Sequence, residues 1–313
     1  MTNAASPAIA PQAQPVRGDF RFVHRLRVRW AEVDAQKVVF NGHYLTYLDV
    51  AISDYWRAVG LPYPDATVHL GVDLFVRHHD LDYHAPARLD DWLDIGVRCA
   101  KVGRSAITVN WAMWSAGRLL VTGNTVYVMT LLSDGRPTAV PDTVRAQLAA
   151  HEDGQSPYAW QLGGWSELGE GARAVRLPVF VDEQGVSADK ELDDWDAVAV
   201  HGVLRNQAGL AVATGRLMLN VAEAHAAPHD APALGHARLG RLAVLRSARG
   251  AGLGRRVLQS LLAHAWTQGV HTVHIHAQCT AQRLYAALGF QPVGPVFEEE
   301  GLAHQAMVLK RSA

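Results

Sequence analysis

The 313-residue chain is 49% hydrophobic and 19% charged, which excludes an intrinsically disordered protein and supplies apolar material for two cores. A formal net charge of −1 gives no field that would attract nucleic acid or an anionic membrane, so any anion must be recognised locally. Two cysteines, Cys99 and Cys279, one in each half, rule out a disulfide framework and fit a reducing, cytoplasmic setting.

Residues 1–17 are rich in Ala, Pro and Gln and lack the basic and apolar stretches of a signal peptide, so a disordered tail is expected there. No run approaches the roughly 18 apolar residues of a membrane span. From Phe20 to Trp30, alternation of Phe22, His24, Leu26, Val28 and Trp30 with polar neighbours predicts a half-buried strand. A loop holding Asp34 follows. It leads into a predicted helix over Tyr44–Val59, whose Tyr44, Leu45, Leu48, Ala51, Ile52, Tyr55 and Val59 form one stripe, closed by Gly60-Leu61-Pro62. Four strands are then predicted, at Val68–Tyr83, Trp92–Val102, Ser105–Trp114 and Leu119–Leu132, with Gly117-Arg118 and Asp134-Gly135 as turns. A short helix opening at Pro141 ends this part, and 152–157 reads as a linker.

One long helix followed by four antiparallel strands is the order of the hotdog fold. The segment Arg29-Trp30-Ala31-Glu32-Val33-Asp34 through Tyr44, with Asp82-Tyr83-x-Ala85-Pro86-Ala87-x-x-Asp90-Asp91, resembles the 4-hydroxybenzoyl-CoA thioesterase type of hotdog protein. The resemblance covers about residues 18–150 and implies that Asp34 is nucleophile or general base. It also implies that the backbone N–H of Asn41, at the helix start, polarises the thioester carbonyl, as a helix N-terminus can. Lys37 stands where such proteins usually have glycine, and Asn41-Gly42-His43 departs from their common tripeptides. Hotdog sheets generally build acyl-CoA sites between protomers, so a homo-oligomer through this domain is expected, with the Trp-rich strand Ile107–Trp114 as its buried surface.

Beyond residue 157, Ala172–Val181 carries a helical repeat, and strands are predicted at Ala197–Leu204, Ala211–Asn220 and Ala237–Leu245. A polar insert at 224–234 reads as a surface loop. The strand-like run Leu239–Leu245 meets Arg249-Gly250-Ala251-Gly252-Leu253-Gly254, which opens a further helix. Glycines at that junction let backbone N–H groups and a helix N-terminus converge on a pyrophosphate. A nucleotide P-loop would need Gly-Lys-Ser/Thr, but Arg255-Arg256 follows, and a dinucleotide site would need an acidic residue where His276-Ala277-Gln278 stands.

This loop, with Gln278-x-x-Ala281-x-x-Leu284-Tyr285-x-x-x-Gly289-Phe290, resembles the coenzyme A site of the GNAT acetyltransferases. Arg176-x-x-Val179-Phe180-Val181-x-Glu183-Gln184, Glu191-x-Asp193-x-x-Asp196, His201, Thr214-Gly215-Arg216-Leu217 and Phe297-x-Glu299-x-Gly301-x-x-His304-x-x-Met307 extend it over 158–310. It implies that Leu242, Ala243 and Val244 line the pantetheine arm and that Gly250, Ala251, Gly252, Leu253 and Gly254 hold the pyrophosphate with Arg249 and Arg255. Gln278 would bond pantetheine amides, and Tyr285 would be the general acid beside the sulfur. Ala237–Leu245 offers no carboxylate, so the base is sought among Glu183, Asp193, Asp196, Glu298, Glu299 and His304, with Glu183 preferred.

The expectation is therefore an α+β hotdog domain at 18–151 joined to an α/β GNAT domain at 158–313. Together they would hydrolyse acyl-CoA and acetylate an amine from acetyl-CoA. An acyl-CoA sensor or assembly protein is the alternative, since both folds also occur without catalysis. No metal is expected: His271, His274 and His276 lack a Cys, Asp or Glu at ligand spacing.

Overall fold

The structure, a computed structural model, describes residues 14–220 and 234–311. The tail before residue 14 and nearly all of the 224–234 insert, with His225 and His229, lie outside the described residues. The chain divides into two compact units. One comprises the described parts of Met1–Tyr55 with Val72–Pro141, the other Trp56–Gly71 with the described parts of Asp142–Ala313.

The first unit is a sheet of five antiparallel strands, β1 (Phe22–Arg27), β2 (Val72–Tyr83), β3 (Trp92–Val102), β4 (Ala106–Ser115) and β5 (Arg118–Leu131), in the order β1-β3-β4-β5-β2. Helix α1 (His43–Val59) buries Tyr44, Tyr47, Leu48, Ala51, Ile52 and Tyr55, the stripe its i, i+3, i+4 spacing requires. Tyr55 ties that stripe to the sheet: its hydroxyl accepts the Cys99 N–H at 3.0 Å and its ring meets Phe22 edge-on at 5.6 Å.

Two expectations for this region are corrected. Val68–Leu70 are not strand but the end of α2 (Asp65–Leu70), because Gly71, at φ +67°, closes a helical turn before β2 begins at Val72. The strand Ile107–Trp114 is not an open surface either. It is the centre of the sheet, with Ile107, Val109, Trp111 and Met113 buried on alternate positions and Ala112 and Trp114 covered by Phe20 on the other face. Exposed apolar side chains sit instead on the edge strand β2, at Phe75, Val76 and Tyr83.

The second unit carries α3 (Asp142–Glu152), β6 (Tyr158–Gly163), α4 (Trp165–Arg176), α5 (Ala188–Glu191), β7 (Val200–Asn206), β8 (Ala211–Leu219), β9 (His236–Val244), α6 (Leu253–Thr267), β10 (Thr272–Gln278), α7 (Gln282–Ala286), β11 (Gln291–Glu299) and β12 (Leu302–Lys310). Its seven strands run β11-β12-β10-β9-β8-β7-β6. Leu168, Ala172 and Val175 of α4 and Val257, Leu258 and Leu261 of α6 share one core with Val203, Val212, Leu217, Leu239, Val273 and Ile275. The helical repeat expected over Ala172–Val181 is split: α4 ends at Arg176 and a wider π-helical turn spans Leu177–Glu183, where Pro178 has no N–H to continue the ladder. β7 starts at Val200 rather than Ala197, because Asp193 accepts the Trp195 N–H at 3.1 Å and winds Asp194–Ala197 into a 3-10 turn.

β9 and β10 form the one parallel pair among the described strands. Their pairing stops at Arg238 and His274, although both strands continue, to Val244 and Gln278. A register shift between Thr214 and Arg216 on β8 and a left-handed Arg241 (φ +51°) mark a bulge where β9 turns away. The sheet is thereby split along Leu239–Val244.

Candidate active sites

The split in the second unit opens on a cavity of about 310 Å³. Leu242, Gln278 and Tyr285 line it, as do Arg216, Arg238, His276, Glu299 and His304. Registers explain the convergence. Arg216 stands opposite Gly240 and Met218 opposite Arg238, while Arg238 faces His274 and Gln278 faces His304, so alternate residues of four adjacent strands share one sheet face. Gln278 Nε2 donates to Gln184 Oε1 at 2.8 Å. Tyr285, at the end of α7, packs edge-on against Phe290 at 5.9 Å, and burial pushes its hydroxyl up to about 12.

At the far end of β9 the loop 249–254 takes the shape its glycines allow. Gly250 and Gly252 lie at φ +88° and +74°, a region L side chains rarely adopt, and a Cβ on either would meet no other atom within 4 Å. Gly252 caps α6, and the N–H groups of residues 250–255 find no acceptor among the described residues. Six N–H groups at the start of a helix are thus left without a protein acceptor, an arrangement that suits an anion. Arg255 is exposed on the first turn of α6. Arg249 is fixed by its Nε bond to the Val244 carbonyl (3.1 Å) and by a two-pronged pair with Glu183, at 2.6 and 2.7 Å.

The sequence candidates for a base thus separate. Glu183 is occupied by Arg249, whose hydrogen bonds hold its carboxyl below the usual range, and it does not line the cavity. Asp193 and Asp196 belong to a buried ionic network. Arg176, 1% exposed, pairs with Glu191 and Asp196; Arg216 pairs with Asp193 and with Asp196 at 2.9 Å; Arg241 reaches Glu191 and Asp193, each at 3.1 Å. Those motif residues brace the cavity wall. Glu298 is exposed and off the cavity.

Glu299 and His304 remain, and the structure adds His276. His276 Nδ1 lies 2.6 Å from Glu299 Oε2; the hydrogen bond from His276 lowers the Glu299 carboxyl to about 2 against the opposing effect of burial. An ionised Glu299 only accepts, so Nδ1 carries the proton and Nε2 is the basic nitrogen of that imidazole. His304 is set likewise, with Nδ1 2.8 Å from the Leu302 carbonyl.

In the first unit, Asp34 sits in a tight loop. Its N–H reaches the Val38 carbonyl (2.9 Å), its Oδ1 accepts the Gln36 N–H (2.8 Å), and Val33 bridges Val39. Oδ2 has no partner among the described residues. Lys37, at φ +62°, occupies the left-handed position for which glycine is the low-strain choice. Beneath the loop, Glu32 (4% exposed) accepts Tyr47 Oη at 2.8 Å and the Arg29 N–H at 2.6 Å. Burial opposes its ionisation, but these bonds outweigh burial and keep its carboxyl below the usual range.

Asn41 lies exposed just before α1; its N–H and that of Gly42 find no acceptor among the described residues, while its carbonyl accepts Tyr83 Oη at 3.1 Å. The Ala85-Pro86-Ala87 turn explains its motif: the Ala87 N–H donates to Tyr44 Oη (2.9 Å) and its carbonyl takes the Val39 N–H (2.9 Å), clamping the Asp34 loop to α1.

Among the described residues no group of three or more His, Cys, Asp or Glu could hold a metal ion, and no helix is long and apolar enough to cross a membrane.

Residues 36–122 match the thioesterase superfamily and residues 210–311 the acetyltransferase (GNAT) domain. Asp34 falls two positions before the first match, and the 249–254 loop, Gln278 and Tyr285 fall inside the second. A relative from Aquifex aeolicus bearing a provisional esterase name is 24% identical over 123 residues, 39% of this chain and 94% of its own. One from Bacillus subtilis with a provisional acetyltransferase name is 28% identical over 138 residues, 42% of this chain and 83% of its own. A solved thioesterase from Thermus thermophilus, complexed with coenzyme A and Zn, is 27% identical, covers 43% of this chain and 96% of its own, and gives a TM-score of 0.38. The chain thus joins a thioesterase-superfamily domain, a five-stranded antiparallel sheet with the long helix α1 in the order of the hotdog fold, to a GNAT acetyltransferase domain.

Proposed function

We propose that the chain is a cytoplasmic, bifunctional acyl-CoA enzyme, with a hotdog domain at 18–151 that hydrolyses acyl-CoA thioesters and a GNAT domain at 158–313 that acetylates an amine. The observation that carries the second activity is the split between β9 and β10, bordered by Leu242, Gln278 and Tyr285 and continued by the open 249–254 loop. Pantetheine would lie along Leu242–Val244 with the diphosphate on 250–254, Arg249 and Arg255 adding charge. A cavity histidine, either His276 oriented by Glu299 or His304, takes the proton of the attacking ammonium; the neutral amine adds to the thioester carbonyl, the C–S bond breaks with Tyr285 donating a hydrogen bond to the departing thiolate, and the second nitrogen proton passes to that thiolate to leave amide and thiol. Glu183, preferred on sequence as the base, acts here by holding Arg249.

In the first domain, Asp34 attacks the thioester or activates water, and the Asn41 N–H at the start of α1 stabilises the oxyanion. Assembly of two copies along the exposed apolar edge β2 would complete that site.

Free thiol release from a panel of acyl-CoA thioesters, measured with and without amines, tests both activities. Asp34→Ala should lower amine-independent hydrolysis at least about a hundredfold and leave amine-dependent release intact. Unchanged hydrolysis removes Asp34 from the mechanism, and no thiol release from any thioester leaves the acyl-CoA sensor as the function.

A further inference from the structure

The cations lining the second unit's cavity are not equivalent. Lys190 pairs with Glu300 at 2.9 Å, Arg216 with Asp193 and Asp196, and Arg241 with Glu191 and Asp193. Arg238 is different. It is partly buried on β9, and its one neighbour within hydrogen-bond range among the described residues is His276 Nδ1, at 3.4 Å. That contact is not a hydrogen bond, because the Nδ1 proton already points to Glu299 at 2.6 Å and a guanidinium has nothing to accept it. Arg238 therefore presents a partly buried fork of donors to the cavity with no hydrogen-bond acceptor of its own among the described residues; burial lowers its affinity for its own proton, and the charge of Glu299 opposes that effect only in part. Neighbouring Arg216 repeats the pattern with a buried Nε that has no partner. A wall so built favours an anion that enters with the substrate.

We infer that the acceptor amine carries an oxyanion, carboxylate or phosphate, received by the Arg238 guanidinium; this rests on acetyl transfer at the same cavity. CoA's own diphosphate does not fill the role, since its cradle lies beyond the opposite end of β9: Arg238 to Val244 is six residues, about 20 Å of strand. Spacing also follows from the register. His276 stands two residues beyond His274, the partner of Arg238, and its ring reaches back to within 3.4 Å of the guanidinium, so the attacking amine and the oxyanion belong to one short molecule.

The test compares 4-aminobutyrate, 3-aminopropyl phosphate, 4-aminobutyrate methyl ester and 1,4-diaminobutane on the full-length protein. Binding is followed by calorimetry and acetylation by thiol release, for wild type, Arg238→Met and Arg238→Lys. A charge-assisted two-pronged contact should favour one or both anionic amines over the ester and the diamine by roughly 10- to 100-fold. Carboxylate and phosphate arms identify which oxyanion fits. Arg238→Met should erase the preference, and Arg238→Lys should keep part of it, which also guards against a misfolded methionine variant. Anion-selective binding without acetylation leaves Arg238 as an oxyanion receptor and removes acetyl transfer. Equal binding of the oxyanion-bearing amines and of the ester and diamine, binding of none, or a preference that survives in Arg238→Met overturns it.

Discussion

Replacement of Tyr285 by phenylalanine removes one oxygen from the cavity wall and nothing else. The ring keeps its edge-on contact with Phe290, and the hydroxyl makes no hydrogen bond among the described residues, so stability should change by less than about 1 kcal/mol. The catalytic cost can be bounded. Burial pushes the hydroxyl up to about 12, whereas an ordinary thiol lies near about 8.5, so full proton transfer to a departing thiolate is uphill by roughly 5 kcal/mol. In the proposed acetyl transfer Tyr285 would therefore act mainly as a hydrogen-bond donor to developing negative charge on sulfur, an interaction worth about 1.5–3 kcal/mol. Turnover should fall roughly 10- to 150-fold, less than the loss expected of an obligatory proton donor, while acetyl-CoA binding by calorimetry stays within about threefold. The pH–rate profile of the wild type should show no limb from Tyr285 below about pH 11. Undiminished turnover would remove the residue from the mechanism. A loss beyond about 10⁴ would show that a whole proton is delivered and that the energetic argument is wrong.

Gly252→Val should weaken CoA binding by at least about tenfold in calorimetry, because valine at φ +74° is strained and its side chain enters the concavity below α6; unchanged affinity would move the diphosphate elsewhere. Lys37→Gly should raise stability in urea by up to about 1 kcal/mol by relieving a left-handed lysine, a gain reduced by the freer unfolded chain; a loss would mean that the lysine side chain contributes. Glu299, its folded carboxyl lowered from 4.5 to about 2, binds protons more weakly folded than unfolded, so its stabilisation is present above pH 4.5 and is lost as pH falls toward 2. Glu299→Gln should flatten the acid limb of the melting temperature against pH over that window, and an unaltered limb would mean that the pair with His276 is not formed in solution.

Legibility of the site in the sequence followed the distance between its parts. The Asp34 loop with α1, and the 249–254 loop with α6, are each continuous stretches in which turn residues, helix start and chemistry come in order. Lys37 shows both the reach and the limit: the sequence marked it as a departure, and only the backbone shows the left-handed turn that makes glycine usual there. The Arg238, His276 and Glu299 constellation was not legible, since those residues lie on three strands and meet through register alone. Glu183 shows a related limit. A carboxylate near a proposed site invites a catalytic role until its partner, Arg249, 66 positions away, is placed beside it. Alternation along Ile107–Trp114 likewise announced burial without saying that Phe20 of the same chain covers Ala112 and Trp114.

The interrupted pairing of β9 with β10 has a mechanical consequence. Over Leu239–Val244 the seven-stranded sheet is held to its β10-β12-β11 side by no ladder of its own, so a pantetheine chain laid into the gap becomes a surrogate strand that joins the two halves. Cofactor affinity and domain rigidity are then one quantity measured in two ways. CoA at a hundredfold excess over its dissociation constant adds about 2.7 kcal/mol to the unfolding free energy. The slowing of amide exchange should concentrate on Leu242–Val244 and on the first turn of α6, where N–H groups gain acceptors, and spare the distant strand β6. The domain's most easily opened seam would thus be the one that a bound CoA closes.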